Sequence, residues 1–476
     1  MPLHILAIPF PAQGHMIPFL DLINNLATSH SNLSISITIT ILTTPHNLPY
    51  LTNLLSSHPS SITPLLLPFP SHPSIPPAIE NTIHLPRSMR PFILALSRLH
   101  QPLLHWFHSH PAPPRFIISD IFCGWTHHLA SQLNIKSLVF SPSGAFALST
   151  MYFLWKEMPM RNNVNDENEV VSYHRLPNSP KYPWCQVSPL FRSYVGDDDP
   201  DSVLLKDSFL GNIQSWGLVV NTFSELEKPY LDYLRTELGH DRVWAVEPLL
   251  PHPDDDDSSA ATKQRGGSSS VSVNDVVSWL DLRQKDKVVY VCFGSQTVLS
   301  NDQTVAIASG LEKSWVHFIW CMKGKGIEGS ERDSCLLGLE DRTAGRGLVI
   351  RGWAPQVMIP RHKAVGAFLT HCGWNSVLES MVGGVPLLAW PMTADQFVNA
   401  TLLVEELKVA KKVCEGEKTV PDSDELARVL AEAVSGRGVE TGQALKLQAA
   451  AIDAIREGGS SEKDLLCLME HLHNFV

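Results

Sequence analysis

Basic residues are scarce at the start of this chain, where the first lysine or arginine is Arg87. A secretory signal peptide needs a positively charged segment before its apolar core, so the start does not have the composition of one. The sequence also lacks an apolar run of about 18 residues, the length that a membrane-spanning helix needs. We therefore expect a cytoplasmic protein without an integral membrane segment, in which the glycosylation sequons at Asn32 and Asn399 are coincidental.

Paired cysteines and positive net charge are missing as well. The 8 cysteines contain no Cys-x-x-Cys pair, so their spacing suggests neither a zinc site nor a disulfide framework. The formal net charge is −11, which argues against a general nucleic-acid surface. These absences favour a reducing compartment and exclude nucleic acid as an expected partner.

The first half of the chain has the pattern of an α/β domain. Residues 4–9 read as a buried strand, and a turn and an apolar helix near 16–26 follow it. Residues 34–43 alternate with β-branched side chains and predict a second strand. A helix near 89–107 leads to a further strand that ends at Asp120. Strand, helix and strand in this order indicate a parallel sheet.

Residues 250–272 change in composition to aspartate, serine and glycine, which predicts an exposed linker. The strand–helix rhythm then restarts, with predicted strands at 288–293, 317–322, 348–351, 367–370 and 386–390. Predicted helices lie near 301–313, 375–382, 396–407, 423–434, 440–456 and 461–473. We expect an α/β protein with two doubly wound domains, at 1–249 and 273–456, and a final helical segment at 457–476.

The most informative segment runs from Trp353 to Gln396. Within it, the stretch from His371 to Ser376 follows a predicted strand, at the position where open parallel sheets bind ligands. Gly373 allows close approach of the backbone, and Asn375 and Ser376 begin a helix whose free N–H groups suit a diphosphate. Ser295, at the end of another strand, can add a hydroxyl. Ordinary N-capping by Asn or Ser is the alternative interpretation.

Other residues of this segment suit the remaining parts of a nucleotide. Glu379 lies one helical turn after Asn375 and can accept two hydrogen bonds from a ribose. Trp353 offers a flat ring for a base, and Gln356 can pair with the base edge. The alternatives are a solvent-facing glutamate and a core tryptophan.

His15 and Asp120 are the candidates for acid–base chemistry. His15 lies in the first turn of a predicted helix after a strand, and an imidazole with an ordinary pKa near 6.5 is a suitable general base. Asp120 ends a strand of the same domain, so the sheet order can bring the two side chains together. The carboxylate would then orient the ring and stabilise the imidazolium.

Three other patterns are weaker. Residues 324–329 match Gly-x-Gly-x-x-Gly after a strand, but no apolar helix follows, so a dinucleotide-binding loop is not favoured. The acidic runs Asp197–Asp199 and Asp254–Asp257 lie in polar segments without partner ligands, which favours solvated loops over metal sites.

Nearly the whole chain resembles the plant secondary-product UDP-sugar glycosyltransferases, a family that acts on flavonoids and other phenolics. The resemblance rests on three segments. They are the segment from Trp353 to Gln396, the opening Pro-Phe-Pro-Ala-Gln-Gly-His-Met-Ile-Pro, and the Ile-Ser-Asp that ends the predicted strand at Asp120. It implies the GT-B fold, in which two Rossmann-like domains face each other across a cleft. It also implies inversion at the sugar and a C-terminal helix that returns to the first domain.

The resemblance also assigns roles to residues. It implies that His15 is the base and Asp120 its partner, and that Trp374, Asp395 and Gln396 face the sugar. Candidates for the acceptor pocket are Phe122, Trp125 and Phe146. The implied UDP-binding residues are Ser295, Trp353, Ala354, Gln356, His371, Gly373, Asn375, Ser376 and Glu379. One departure is Pro360, where the family usually has leucine and where the proline is expected to distort a short helix slightly.

From this resemblance we expect a monomer with no cofactor and no metal ion, whose partners are a UDP-sugar donor and a phenolic acceptor. His15 would deprotonate the acceptor hydroxyl, and His371 with the helix N-terminus would meet the charge that develops on UDP. The closing Asp395 and Gln396 favour glucose, with rhamnose or xylose as alternative sugars. An NAD-type oxidoreductase and a non-catalytic nucleotide-sugar sensor are the alternatives from other functional classes.

Overall fold

The computed structural model describes residues 3–33, 37–85, 89–249, 270–322, 338–339, 341–343, 345–436 and 438–474. The chain divides into two compact units. Unit 1 comprises Met1–Leu249 together with Ala454–Val476, and unit 2 comprises Leu250–Asp453. Most of the predicted linker, and the glycine-rich pattern at 324–329, lie outside the described residues. Within the described ranges, no helix is both long and apolar enough to cross a membrane.

Unit 1 is built on a parallel sheet that has the order β3-β2-β1-β4-β5-β8-β9 in the described part of the chain. These strands are β1 Leu3–Ile8, β2 Ile37–Thr43, β3 Ile62–Leu66, β4 Phe116–Asp120, β5 Lys136–Ser141, β8 Gly217–Val220 and β9 Val243–Ala245. A separate antiparallel hairpin joins β6, Val170–Ser172, to β7, Lys181–Pro183. The chain order reverses between β1 and β4, so this unit has its topological switch point there.

Helices connect and cover these strands. They are α1 Gln13–Leu33, α2 Thr52–Ser57, α3 Met89–Ser97, α4 His100–Ser109, α5 Thr126–Gln132, α6 Ala145–Glu157, α7 Pro189–Arg192, α8 Pro200–Ile213 and α9 Ser224–Leu238. The strands β1, β4 and β8 are almost wholly buried, as expected for a parallel sheet covered on both faces.

Unit 2 repeats this architecture with the order β12-β11-β10-β13-β14-β15, again parallel. Its strands are β10 Val288–Cys292, β11 His317–Met322, β12 Gly347–Arg351, β13 Val365–Thr370, β14 Leu387–Ala389 and β15 Ala410–Lys412. Its helices are α10 Val273–Asp281, α11 Asn301–Lys313, α12 Met358–Arg361, α13 Trp374–Gly383, α14 Gln396–Thr401, α15 Ser423–Ala433 and α16 Val439–Ile455. The switch point of this unit lies between β10 and β13.

The last helix, α17 Ser460–His473, belongs to unit 1. Its residues Leu468, Met469 and Leu472 are buried in the same hydrophobic core as β1 and β2. The Asp464 carboxylate accepts a hydrogen bond from the Ala245 backbone N–H at 2.7 Å. Strand β9 is therefore hydrogen bonded to α17 as well as to its neighbour β8 in the sheet.

Two predicted helices differ from the observed ones. The helix predicted near 89–107 is two helices, because Pro102 has no N–H to continue the helical ladder and takes a place in the first turn of α4. The helix predicted at 396–407 is α-helical only to Thr401 and continues as a π-helical turn, Leu402–Glu406. Pro360 lies in the first turn of α12, where its missing N–H would have no partner, so the short helix forms around it.

Candidate functional site

In unit 1, the His15 and Asp120 side chains are hydrogen bonded. The imidazole Nδ1 lies 2.9 Å from Oδ2 and 3.1 Å from Oδ1 of the carboxylate. Asp120 is fully buried, while 16% of the His15 side chain is exposed. With the carboxylate as acceptor, Nδ1 carries the proton and Nε2 keeps its lone pair, which is the tautomer that a general base needs.

The sheet order brings these two residues together. Strands β1 and β4 are parallel neighbours, with Ile8 paired to Ser119. His15 lies in the first turn of α1, the helix that follows β1, and its backbone N–H donates to the Ala12 carbonyl. Asp120 ends β4, and its Oδ1 also accepts from the Phe122 N–H at 2.9 Å. The site thus lies at the carboxyl edge of the sheet, at the switch point where such folds bind ligands.

Aromatic rings support the imidazole. The Phe122 ring centroid lies 4.5 Å from that of His15, and the Phe10 ring lies 5.3 Å away. Phe10 and Phe122 also meet edge to face at 5.1 Å. The two phenyl rings and Asp120 together restrict the orientation of His15.

The other two acceptor-pocket candidates are largely buried. Phe146, which is 1% exposed, stacks on Tyr230 at 4.2 Å. Its N–H and that of Ala145 both donate to the Glu227 carboxylate at 2.8 Å, at the start of α6. Trp125 is also buried and precedes α5. A role in acceptor binding stays a prediction for all three aromatic residues.

In unit 2, the predicted donor residues follow the carboxyl ends of several strands. Ser295 follows β10, Trp353 and Ala354 follow β12, His371 follows β13, and Asp395 follows β14. Carboxyl ends of parallel strands lie at one edge of a sheet, so these residues share that edge. Trp353 is only half buried, unlike the core tryptophan that was the alternative interpretation.

The turn between β13 and α13 has the features of an anion site. The N-cap of α13 is Gly373, which has no side chain that could cap the helix. Neither Asn375 nor Ser376 is the N-cap, so the alternative in which one of them caps the helix is wrong. Both lie in the first turn of α13, where backbone N–H groups have no partner within the helix. The preceding Cys372 adopts a left-handed conformation, with φ of 65°.

His371 is held in this turn as a neutral ring. Burial lowers its pKa from 6.5 to about 4. The Thr370 hydroxyl lies 3.3 Å from Nδ1, and with that hydroxyl as donor the ring proton is on Nε2. The predicted contact with a developing negative charge is therefore a hydrogen bond from a neutral imidazole and not an ion pair.

Two glycines leave room for this ring. A Cβ atom at Gly294 would lie 2.7 Å from Nε2 of His371, and one at Gly373 would lie 2.5 Å from the same atom. Gly294 also has a positive φ of 69°. The strand ends of β10 and β13 can therefore approach each other around the imidazole only without side chains at these positions.

Glu379 is 8% exposed, so the alternative of a solvent-facing glutamate is wrong. It lies on α13, one turn after Asn375. In the loop before α12, Gln356 places its amide nitrogen 3.8 Å from the Cys292 thiol at the end of β10. Both side chains are thus directed into unit 2 and not towards bulk solvent.

The predicted sugar residues are ordered by further hydrogen bonds. The Gln396 side-chain oxygen accepts from the Met392 and Thr393 N–H groups, at 3.0 and 3.1 Å. Its amide nitrogen is then the group available to donate to a ligand. Trp374, the first residue of α13, has a buried indole.

Sequence reasoning missed Asn399. Its side-chain nitrogen donates to the Cys372 carbonyl at 3.0 Å and to Oδ2 of Asp395 at 3.1 Å. The spacing of four residues from Asp395 could have indicated a contact on one helix face. The contact with Cys372 has no such signal, because it joins α14 to the separate turn between β13 and α13.

The acidic run at Asp197–Asp199 takes part in local contacts. Asp197 pairs with Lys206 at 3.0 Å, and Asp199 pairs with Arg90 at 2.7 Å and caps α8. In the part of the chain that the structure describes, no group of three or more His, Cys, Asp or Glu side chains is arranged to hold a metal ion. The second run, Asp254–Asp257, lies outside the described residues.

Comparison with known proteins gives matches along nearly the whole chain. Residues 274–431 match the family model described as UDP-glucoronosyl and UDP-glucosyl transferase, and residues 2–251 match the N-terminal domain model of glycosyltransferases. Flavonol 3-O-glucosyltransferase UGT89B1 of Arabidopsis thaliana is 53% identical, over 98% of this chain and 96% of its own. UDP-glycosyltransferase 89B2 of Stevia rebaudiana is 51% identical, over 98% and 97%.

A solved structure is similar over the same extent. Arabidopsis thaliana UGT89C1 complexed with UDP-L-rhamnose superposes with a TM-score of 0.79 at 39% identity, covering 99% of both chains. The same protein has been solved in complex with quercetin, with a TM-score of 0.78 at 38% identity over 99% of this chain and 100% of that one.

Proposed function

Because this chain belongs to the plant secondary-product UDP-sugar glycosyltransferases and has their GT-B fold, we propose that it transfers glucose from UDP-glucose to a hydroxyl group of a flavonoid. That the chain is a UDP-dependent glycosyltransferase follows from the family. The flavonoid acceptor and the glucose donor are the finer part of the proposal. The observation that carries the chemistry is the hydrogen bond between His15 and Asp120.

In the proposed reaction, Nε2 of His15 takes the proton of the acceptor hydroxyl. The oxygen attacks the anomeric carbon from the face opposite UDP, so the configuration inverts. As Nε2 gains the proton, the ring becomes positively charged, and the buried Asp120 carboxylate stabilises that charge through Nδ1. A non-catalytic nucleotide-sugar sensor would need no general base. Asp120 favours the His15 tautomer whose Nε2 can accept a proton, and this supports catalysis.

The leaving UDP would be held by unit 2. The backbone N–H groups of the first turn of α13, at the positive end of the helix dipole, and a hydrogen bond from neutral His371 would meet the diphosphate. Glu379 would accept hydrogen bonds from the ribose, and the half-buried Trp353 with Gln356 would hold the uracil. Because these donors already supply the stabilisation, we propose that no divalent cation takes part. Loss of activity in EDTA that Mg²⁺ or Mn²⁺ restores would contradict this part.

The sugar subsite supports glucose. With its oxygen occupied by two backbone N–H groups, Gln396 offers donors, while Asp395 offers an acceptor. This combination suits adjacent hydroxyls of a hexose. A rhamnosyl group lacks the 6-hydroxyl, so one polar group of a glucose site would lose its partner. The similarity to a flavonol 3-O-glucosyltransferase at 53% identity favours the same sugar and acceptor class.

UDP-rhamnose is the second candidate donor, because a structure at 39% identity has been solved with UDP-L-rhamnose bound. The test is a competition of UDP-glucose, UDP-rhamnose, UDP-xylose and UDP-galactose in one reaction with quercetin, with products weighed by mass spectrometry. We expect a quercetin glucoside as the main product. A rhamnoside or xyloside as the main product would overturn the donor. No product with quercetin, together with transfer to simple phenolics in a parallel reaction, would overturn the acceptor class.

A further inference from the structure

A buried amide connects two parts of the proposed donor site. Asn399, in α14, is 1% exposed. Its single side-chain nitrogen has two hydrogens, and the structure gives both an acceptor: the Cys372 carbonyl at 3.0 Å and Oδ2 of Asp395 at 3.1 Å. The same residue donates its backbone N–H to the Asp395 carbonyl at 2.9 Å.

The Cys372 carbonyl is a well-defined anchor for this amide. Cys372 is fully buried and its left-handed φ of 65° is unusual for a residue with a side chain. It lies between the end of β13 and the N-cap of α13. A hydrogen bond to this fixed carbonyl sets the plane of the Asn399 amide, and the second N–H then points at Asp395.

The surroundings of Asn399 also exclude the role that its sequence context suggests. Asn399-Ala-Thr matches an N-glycosylation sequon, but glycosylation would require the side-chain nitrogen to be exposed. Here that nitrogen is buried and makes both hydrogen bonds. The asparagine therefore has a different use in this protein.

We propose that Asn399 is a positioning residue for sugar transfer, which fixes the Asp395 carboxylate towards the sugar of the bound donor. With Oδ2 held by Asn399, the carboxylate cannot rotate freely, and its orientation towards the sugar hydroxyls is set before the donor binds. Such preorganisation lowers the cost of reaching the reactive geometry. The inference rests on the proposed role of Asp395 in the sugar subsite.

The test combines Asn399→Ala and Asp395→Ala in a double-mutant cycle, with kcat/KM measured for UDP-glucose and affinity measured for UDP. We expect Asn399→Ala to lower kcat/KM by about 10- to 100-fold, because a misplacement of about 1 Å in the bound geometry can cost about 100-fold. The affinity for UDP, which has no sugar, should change by less than about 3-fold. In the double variant, Asn399→Ala should cause almost no further loss, because the carboxylate that it orients is gone.

A conservative variant separates positioning from space filling. Asn399→Asp keeps the volume but faces Asp395 and the Cys372 carbonyl with oxygen atoms alone. We expect it to lose at least as much activity as Asn399→Ala, whereas a space-filling role would make it the milder change. It also keeps the test open if the alanine variant does not fold.

Gln303→Ala is the matched control. Gln303 is a buried amide of unit 2 that donates to the Glu417 and Thr419 carbonyls, both at 2.8 Å, and it is not one of the proposed donor residues. It should reduce stability without coupling to Asp395. Additive losses in the Asn399 and Asp395 cycle, or an equal loss of UDP affinity, would overturn the inference alone. Full activity of Asp395→Ala would remove the proposed sugar subsite and the inference together.

Discussion

His15 is expected to carry the acid–base step through Nε2. His15→Ala should therefore lower kcat by about 10²- to 10⁴-fold, the usual contribution of a general base. Binding of UDP should stay within a few-fold of the original protein, because the donor residues lie in unit 2. Steady-state kinetics and calorimetry with UDP measure the two effects.

His105→Ala is the matched control for that variant, since His105 is an exposed histidine on α4 of the same unit. It should leave the rate unchanged. If His15→Ala kept an activity close to that of the original protein on an acceptor with a weakly acidic hydroxyl, the assignment of the base would be contradicted.

His371 predicts a pH dependence of stability. Its pKa is lowered from 6.5 to about 4 by burial, so the unfolded chain binds this proton more readily than the folded one. The stability that neutral His371 contributes to the folded protein is present above pH 6.5 and is lost as the pH falls towards 4. Between pH 7 and pH 5 the loss is about 2 kcal/mol.

The measurement is the free energy of unfolding in urea at both pH values, for the original protein and for His371→Gln. The variant has no imidazole at this position, so it should lose about 2 kcal/mol less than the original on acidification. Equal losses would show that His371 does not titrate in this way.

The sequence indicated candidate polar residues, but it did not reveal most of their contacts. The pairing of His15 with Asp120 followed from two strand ends of one sheet, which are local signals. The roles of Asn399 and of the Gln396 oxygen depend on backbone carbonyl and N–H groups in other loops. Nearly every residue carries such groups, so side-chain identity alone does not reveal the partner.

Among the elements, α13 depends on its glycine N-cap. Gly373 has a φ of −62°, which any residue adopts, so Gly373→Ala tests space and not backbone strain. A Cβ there would lie 2.5 Å from Nε2 of His371. We expect UDP affinity to fall by at least about 10-fold, because a displaced imidazole changes the geometry of a hydrogen bond to charge, worth roughly 1.5–3 kcal/mol.

Gly442→Ala in α16 is the control for this substitution, since nothing lies within 4 Å of its added Cβ. Alanine in a helix should stabilise the protein by about 0.5–1 kcal/mol relative to glycine and leave UDP binding unchanged. Unaltered UDP affinity in Gly373→Ala would show that the glycine is not needed for the anion site.

Element boundaries were less predictable than element order. The first helix was expected at 16–26, but α1 spans Gln13–Leu33. Residues after Leu26 are mostly small and polar, so they have no apolar periodicity, although the helix continues through them. The observed break between α3 and α4 was missed because the apolar pattern continues across it, while Pro102 determines where the second helix begins.

At the scale of the whole molecule, the end of the chain completes the core of unit 1. Leu468 of α17 is fully buried with residues of β1 and β2, and a leucine-to-alanine change at such a site costs about 2–5 kcal/mol. Leu468→Ala should therefore lower the free energy of unfolding of unit 1 by that amount. Because the donor residues belong to unit 2, UDP affinity should change little.

Leu445→Ala provides the comparison, because Leu445 on α16 is about half exposed and its loss should change stability by less than about 0.5 kcal/mol. Urea unfolding gives the stabilities, and calorimetry with UDP below the unfolding transition gives the affinities. A Leu468→Ala protein as stable as the original would show that unit 1 does not need α17. Parallel losses of stability and UDP affinity would show that the two units do not respond separately to a change in the core of unit 1.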